Sequence, residues 1–354
     1  MAVHFTRERM QQVLDNYEAW WDHRLDRPLV PCTLWGAYPV ERRAPAPHLD
    51  QSTCADFSWS AEQLVDKMDE ELSECEWIGD GYPIVRFDTF GPGVLGAFCG
   101  GVLDNSSGRV WFRAAEKKHI SEIHCVYDPE NKWAERIKDI YRAGVNRWEG
   151  SVLMSIPDLG SPLDVMSALV GTEELLLDLY DEPDEVKRLI GELETAWYAA
   201  FNDFAGVLEP QGGYTNWAGI ASRKPGYIVQ CDFCYMIGNS MFREFVLPTI
   251  RRDTERLDRV IYHLDGVGEL AHLDDILALP GVSAIQWEPG AGHPYGMYWK
   301  DVYEKIDAAG RHAWLPGPLD KNLEVLDAFH NTPYFGIGFH ASQREMAEEI
   351  LARR

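Results

Sequence analysis

Ionisable side chains follow directly after a predicted buried strand in residues 259–272 of the sequence. The run from Val260 to Tyr262 is apolar and β-rich, and residues 263–265 continue it with polar and apolar side chains in alternation. Glycines at 266 and 268 end it before a helical pattern begins. His263 and Asp265 are two residues apart, so both side chains point to the same side of the strand. Neutral imidazole and carboxylate together are a common ligand set for catalytic zinc. The spacing therefore predicts a zinc site, or a site for another divalent metal, at the end of this strand.

Further polar residues stand at the ends of other predicted strands: Asp88, Asp158, Asp232, Glu288, His293 and His340. We predict His263, Asp265 and His340 as metal ligands, and Asp232, Glu288 and His293 as catalytic acids, bases or orienting groups. Aromatic residues at strand ends could wall a pocket, and the predicted substrate-binding residues are Trp217, Tyr262, Trp287 and Asp88. Each residue also has a structural explanation, because an aspartate after a strand often caps a helix and a histidine is often a hydrogen-bonded core residue.

These residues need a scaffold that brings strand ends together. Counted from Tyr82, the sequence contains eight strand candidates that alternate mostly with helices; they include residues 82–88, 152–158, 213–217 and 260–265. This order predicts an α/β protein with a (β/α)₈ TIM-type barrel, whose site would lie where the strands end. We expect one domain over residues 1–354, with an N-terminal helical cap and loop region in 1–80, the barrel core in 81–354, and an inserted hairpin around residues 108–113.

The composition narrows the classes of function. The 354 residues carry a formal net charge of -24, which disfavours a nucleic-acid partner and a polyanionic substrate, since both are bound chiefly by clustered Lys and Arg. The sequence contains no stretch of about 18 apolar residues, the length of a membrane helix, and no signal peptide, so neither a membrane span nor secretion is expected. The seven cysteines have no regular framework. We therefore expect a cytoplasmic enzyme with reduced thiols and a small-molecule substrate.

One Cys-x-x-Cys pair occurs, at Cys231 and Cys234. Strand alternation would put the two sulfurs on different faces unless the chain bends between them. Metal ligation, a redox dithiol and a purely structural role all stay open, with buried structural cysteines as the default.

Four blocks of sequence resemble the uroporphyrinogen decarboxylase-like superfamily, and most closely an uncharacterised bacterial branch near the corrinoid-dependent methyltransferases. The blocks are residues 230–237, 242–248, 262–266 and 285–292, and the resemblance extends from about Trp20 to the C-terminus. It implies a (β/α)₈ barrel with its site at the mouth. It also implies methyl or similar small-group transfer, a corrinoid protein partner and a homodimer.

The resemblance gives His263 and its neighbours specific roles. In the methyltransferase members, a His-x-Cys pair on one strand and a later Cys hold zinc, which binds the thiol that accepts the methyl group. Here His263 matches the His, Asp265 stands where the first Cys would be, and His340 falls near the later Cys. These harder ligands favour activation of a water or an oxygen substrate over thiol methylation.

Three other functions compete with metal-dependent methyl transfer. Uroporphyrinogen-type decarboxylation would need an arginine-bearing N-terminal loop, for which Arg42 and Arg43 are the nearest substitutes. A glycoside-cleaving enzyme would use paired carboxylates such as Asp265 and Glu288. A non-catalytic small-molecule binding protein would have kept the barrel and lost the chemistry.

Overall fold

The computed structural model describes residues 3–329 and 333–353. Its strands are, in chain order, Pro31–Trp35 (β1), Glu76–Gly79 (β2), Ile84–Val85 (β3), Val102–Asp104 (β4), Trp111–Arg113 (β5), Leu153–Met154 (β6), Gly226–Gln230 (β7), Arg259–Asp265 (β8), Val282–Glu288 (β9), His312–Trp314 (β10) and Ile337–His340 (β11).

The α-helices surround these strands. They are Arg7–Trp21 (α1), Ala61–Ser73 (α2), Leu95–Phe98 (α3), Lys132–Trp148 (α4), Pro162–Val170 (α5), Thr172–Asp181 (α6), Pro183–Leu208 (α7), Asn239–Met241 (α8), Leu247–Arg256 (α9), Leu273–Leu277 (α10), Lys300–Ala308 (α11), Leu319–Ala328 (α12) and Arg344–Leu351 (α13). Short 3₁₀ helices include Asp88–Phe90, Asp232–Met236 and Val267–His272, and a π-helical turn covers Phe242–Val246. Ser60 caps α2 with a capping box.

The strands form a mixed α/β fold with parallel sheets. A four-stranded parallel sheet has the order β10-β9-β8-β7, β3 pairs with β6 in parallel, and β1 lies between β11 and β2. The first of these neighbours is parallel to β1 and the second antiparallel. Isolated parallel bridges join Trp314 to Tyr334 and Tyr334 to Leu29. The pairing of β1 with β11 ties the first part of the chain to its last strand.

Seven of the eight strand candidates contain a strand in the described chain, and residues 213–217 do not. There the chain forms an antiparallel bridge between Tyr214 and Ser222 instead. The side-chain oxygen of Asn216 accepts hydrogen bonds from the backbone N–H groups of Ala218 and Ile220, both at 3.1 Å. Because the side chain of Asn216 takes these donors, the backbone turns tightly instead of extending. The inserted hairpin is confirmed, since β4 and β5 pair antiparallel.

Two apolar layers lie on the two faces of the four-stranded sheet. The inner core joins Ile228, Ile261 and Ala284 of the sheet to side chains of α1, among them Met10 and Tyr17. The outer core packs the opposite face of the same strands against the surrounding helices. Helix α1 therefore covers one end of the inner face with its apolar side, and the polar residues of that face lie towards the carboxyl ends of the strands.

Cys99 and Cys125 are joined in a disulfide, which corrects the expectation that all thiols are reduced. The other five cysteines are free and buried. Among the residues described, none of the helices combines the length and the apolar character that crossing a bilayer requires.

Candidate metal centre

The inner face of β7, β8 and β9 carries a row of polar side chains above the inner core. Gln230, His263 and Gln286 lie opposite one another in the parallel register, and Asp265 lies opposite Glu288 one step further along. Side chains alternate between the faces of a strand, so these residues continue the row of Ile228, Ile261 and Ala284. The site is thus formed where the inner face passes from apolar to polar.

Three potential ligand residues meet at this end of the sheet: Asp232, His263 and Asp265. One ligand atom from each lies within 4.8 Å of the other two. Asp232 begins the 3₁₀ helix after β7, whereas the other two residues come from β8. The structure therefore brings together a histidine and two carboxylates.

The carboxylate of Asp164, in the first turn of α5, holds the turn that carries Asp232. Its oxygens accept hydrogen bonds from the backbone N–H of Phe233 at 2.8 Å and of Asp232 at 3.3 Å. The hydroxyl of Ser161 donates to the same carboxylate at 2.6 Å. These contacts fix the position of Asp232 relative to β8.

The ring of His263 is oriented by two neighbours. Nδ1 lies 2.5 Å from Oε1 of Gln286, and Trp217 contacts the ring edge-on with the centroids 5.5 Å apart. Because an amide oxygen only accepts hydrogen bonds, Nδ1 carries the proton and the lone pair is on Nε2, which lies 3.9 Å from the Asp265 carboxylate. Burial lowers the pKa of His263, which favours the neutral ring that a metal ligand requires.

The site has an excess of negative charge. Burial, together with the carboxylates of Asp164, Asp265 and Asp158, raises the pKa of Asp232 to about 8. Burial raises the pKa of Asp158 to about 7 and also raises that of Asp164. Within the described chain, no Lys or Arg forms an ion pair with these four aspartates. The donor set therefore fits a divalent cation, which would offset the charge and keep the carboxylates ionised.

A cavity of about 330 Å³ adjoins Asp232. Its lining includes Gln230 of β7, Asp164 of α5 and Met236 of the 3₁₀ helix after β7, together with Trp111 and Arg113 of the inserted hairpin. This volume suits a small organic molecule.

The other predicted site residues divide into those near the metal group and those away from it. Glu288 lies beside Asp265 in the sheet and accepts a hydrogen bond from the hydroxyl of Tyr295 at 2.7 Å. Trp217, predicted to bind substrate, contacts His263. Asp88 is exposed at the start of a 3₁₀ helix, where its charge acts on Asp158.

Two predicted histidines are not brought into the metal group. His340 is exposed, and its Nδ1 lies 2.8 Å from the hydroxyl of Ser342 at the start of a 3₁₀ helix. His293 is also exposed and contacts Trp299, with the ring centroids 6.1 Å apart. The third ligand candidate is therefore Asp232, which was predicted as an acid or base, and not His340.

Tyr262 and Trp287 lie on the opposite face of the sheet, which corrects their prediction as substrate-binding residues. Both are fully buried in the outer core. They are neighbours in sequence of His263 and Gln286, and alternation turns them away from the site. Cys231 and Cys234 are also in the outer core, and Cys234 Sγ lies 3.9 Å from the Tyr262 hydroxyl.

The sequence analysis missed Gln286 and Asp164. Gln286 precedes Glu288 by two residues on the same strand, so the alternation that relates His263 to Asp265 could have identified it. Asp164 carried only the signal of a first-turn acidic residue, and nothing in the sequence indicates that it reaches the turn after β7.

No protein-family model matches the sequence, and no curated protein matches it significantly. Among solved structures, 18 chains match the fold. One is a methyltransferase from Methanosarcina mazei, with a TM-score of 0.59 and 13% sequence identity, over 95% of this chain and 94% of that one. At this identity the likeness concerns the fold, which the two chains share over nearly their whole length.

Proposed function

We propose that the protein is a metal-dependent enzyme that transfers a methyl or similarly small group to or from a small organic molecule. The observation that carries this proposal is the convergence of Asp232, His263 and Asp265, with their ligand atoms within 4.8 Å of one another. The fold shared with a methyltransferase supports the reaction class.

Each residue of the site would have a distinct role in this reaction. Asp232, His263 and Asp265 would hold the metal, and Gln286 would keep the lone pair of His263 on Nε2 by accepting a hydrogen bond from the protonated Nδ1. A divalent metal at this position would supply Lewis acidity to an oxygen or nitrogen atom of the substrate. Glu288, held by Tyr295, is placed to move a proton beside the site. The cavity beside Asp232 would admit the substrate.

The proposal extends to the barrel, the metal and the partners. We propose that the strands form a (β/α)₈ barrel, because the parallel strands and isolated bridges follow one another in the order such a barrel requires. We also propose zinc as the metal, from the ligand types and from the resemblance of the sequence, and a corrinoid protein partner and a homodimer, from the resemblance alone.

Metal analysis of protein purified without a histidine tag tests the proposal. We expect about one divalent metal per chain in the wild-type protein and in His340→Ala, and loss of that metal in His263→Ala and Asp265→Asn. His340→Ala is the matched control, because it removes a predicted ligand that the structure leaves outside the group. Absence of metal from the wild-type protein, even after incubation with zinc, manganese, iron or cobalt, would refute the metal site.

A further inference from the structure

Arg86 stands directly after β3, at the edge of the inner core. Its Nη2 lies 3.3 Å from the point that a Cβ on Gly219 would occupy, and the hydroxyl of Tyr334 lies 3.6 Å from the same point. Its charge acts on the buried hydroxyls of Tyr17, Tyr82 and Tyr334. The guanidinium group therefore lies beside a layer of buried tyrosines, and Arg86 as a whole residue is exposed to solvent.

Among the described residues, none of the acidic side chains forms an ion pair with this guanidinium. Within residues 3–329 and 333–353, Arg86 forms neither an ion pair nor a hydrogen bond, and it does not pair with Asp88, two residues further along. The tyrosine hydroxyls beside it are committed to carbonyl groups: Tyr82 donates to Gly219 at 3.0 Å and Tyr334 to Ala218 at 2.9 Å. In a chain with a net charge of -24, an unpaired cation beside a tyrosine layer is available for an anionic ligand.

The segment beside Arg86 leads directly to the metal group. Gly219 is two residues from Trp217, a span of at most about 7 Å. Trp217 contacts His263 on one side and Trp314 on another, with centroid distances of 5.5 and 5.1 Å. Trp217 therefore links the segment beside Arg86 to the metal group, and its indole offers an aromatic surface to a small molecule.

Given the proposed function, on which this inference rests, we propose that Arg86 binds the carboxylate of a small monocarboxylic acid substrate. The flat apolar body of the substrate lies against Trp217, and its reacting end lies at Asp232, His263 and Asp265. The charges orient the molecule, because Arg86 attracts the carboxylate and a divalent metal would offset only part of the negative charge of Asp232, Asp265 and Glu288. One unpaired guanidinium suits one carboxylate, which distinguishes this substrate from a polyanion.

The test compares two probes that differ in charge and hardly in shape, 4-fluorobenzoate and 4-fluorobenzamide. Binding of each is followed by ¹⁹F NMR titration of the full chain. We expect the wild-type protein to bind the benzoate at least tenfold more tightly than the benzamide. Arg86→Gln should remove this preference, and Arg86→Lys should keep part of it, since lysine retains the charge without the bidentate geometry.

Arg251→Gln is the matched control, since it removes one exposed arginine from α9, away from the inner face, and it should keep the wild-type preference. A wild-type protein that does not prefer the benzoate, or a preference that persists in folded Arg86→Gln, would overturn the proposal. If Arg86→Gln does not fold, Arg86→Lys is compared with the wild-type protein instead. A benzoate Kd that is unchanged in Arg86→Lys would then overturn the proposal.

Metal content is measured on the same samples. Arg86→Gln should keep the wild-type metal, so loss of anion preference with metal retained assigns the effect to Arg86. If the wild-type protein prefers the benzoate but binds no metal, the proposed metal site is refuted and the anion site at Arg86 is supported.

Discussion

The two faces of strand β8 differ in chemistry although their residues alternate along one short sequence. Ile261, His263 and Asp265 point to the inner face, where the polar pair is partly exposed. Tyr262 and Leu264 point to the outer core and are fully buried. A side chain one position away from a metal-ligand candidate therefore contributes only to packing. On a strand, the role of a residue does not follow from how near it lies to a functional residue in the sequence. It follows from whether the two are an odd or an even number of positions apart, because that decides whether their side chains share a face.

The inner face itself also divides in two along the strands. Its lower part is closed by α1, whose Met10, Leu14 and Tyr17 pack on Ile261 and its neighbours. Its upper part carries Gln230, His263 and Gln286, followed by Asp265 and Glu288. The helix supplies apolar surface where stability is needed and leaves the carboxyl ends of the strands for polar groups. Three variants test whether these regions differ in function as they do in structure.

The largest effect is expected on the outer face. Trp287→Ala removes a fully buried indole and should lower the free energy of unfolding by about 3–5 kcal/mol. Urea denaturation of the metal-free protein measures the loss. Tyr180→Ala, at a side chain that is 76% exposed, should change it by less than about 0.5 kcal/mol. A lower metal content per folded Trp287→Ala chain would contradict the separation of the two faces.

A smaller effect on stability but a specific effect on binding is expected from Gln286→Leu. This change keeps the volume and removes the acceptor for Nδ1 of His263, so the ring is no longer fixed in its tautomer. The metal Kd should rise about 10- to 100-fold, measured by competition with a chelating dye. Gln230→Leu, in the same row but without a hydrogen bond to His263 among the described contacts, should keep the wild-type Kd. If both variants lose metal affinity equally, the polarity of the whole row determines binding, and the hydrogen bond to the His263 ring does not.

The smallest effect concerns pH and the metal-free protein. The pKa of Asp232 is raised to about 8 in the folded chain, so the folded state holds a proton that the unfolded state releases near pH 4. The contribution of Asp232 to stability is therefore greatest below about pH 4 and falls as the pH rises from about 4 to 8. The Tm of chelator-treated Asp232→Asn should fall less over this range than that of the wild type. Asp258→Asn removes an exposed carboxylate and should show the same change of Tm with pH as the wild type. If Asp232→Asn also shows the wild-type change, the pH dependence does not come from Asp232.

Much of the secondary structure was predictable from local signals. The β-rich run before Gly266, the capping serine at Ser60 and the helix beginning at Pro183 are each encoded in a few adjacent residues, and the structure contains all three elements. The segment 213–217 was predicted as a strand because its composition suits one. The side chain of Asn216 bonds to the backbone instead, an outcome that composition does not reveal.

The sequence by itself determined that His263 and Asp265 share one face of a strand, because the period of a strand is a local property of the backbone. The same period places Tyr262 and Trp287 on the other face, and their prediction as substrate-binding residues neglected it. Only the tertiary structure decided that Asp232 joins the group while His340 does not. That choice depends on the bend after β7 and on Asp164 of α5, which is 68 residues from Asp232 in the chain. Contacts between residues so far apart are set by packing, and no local pattern records them.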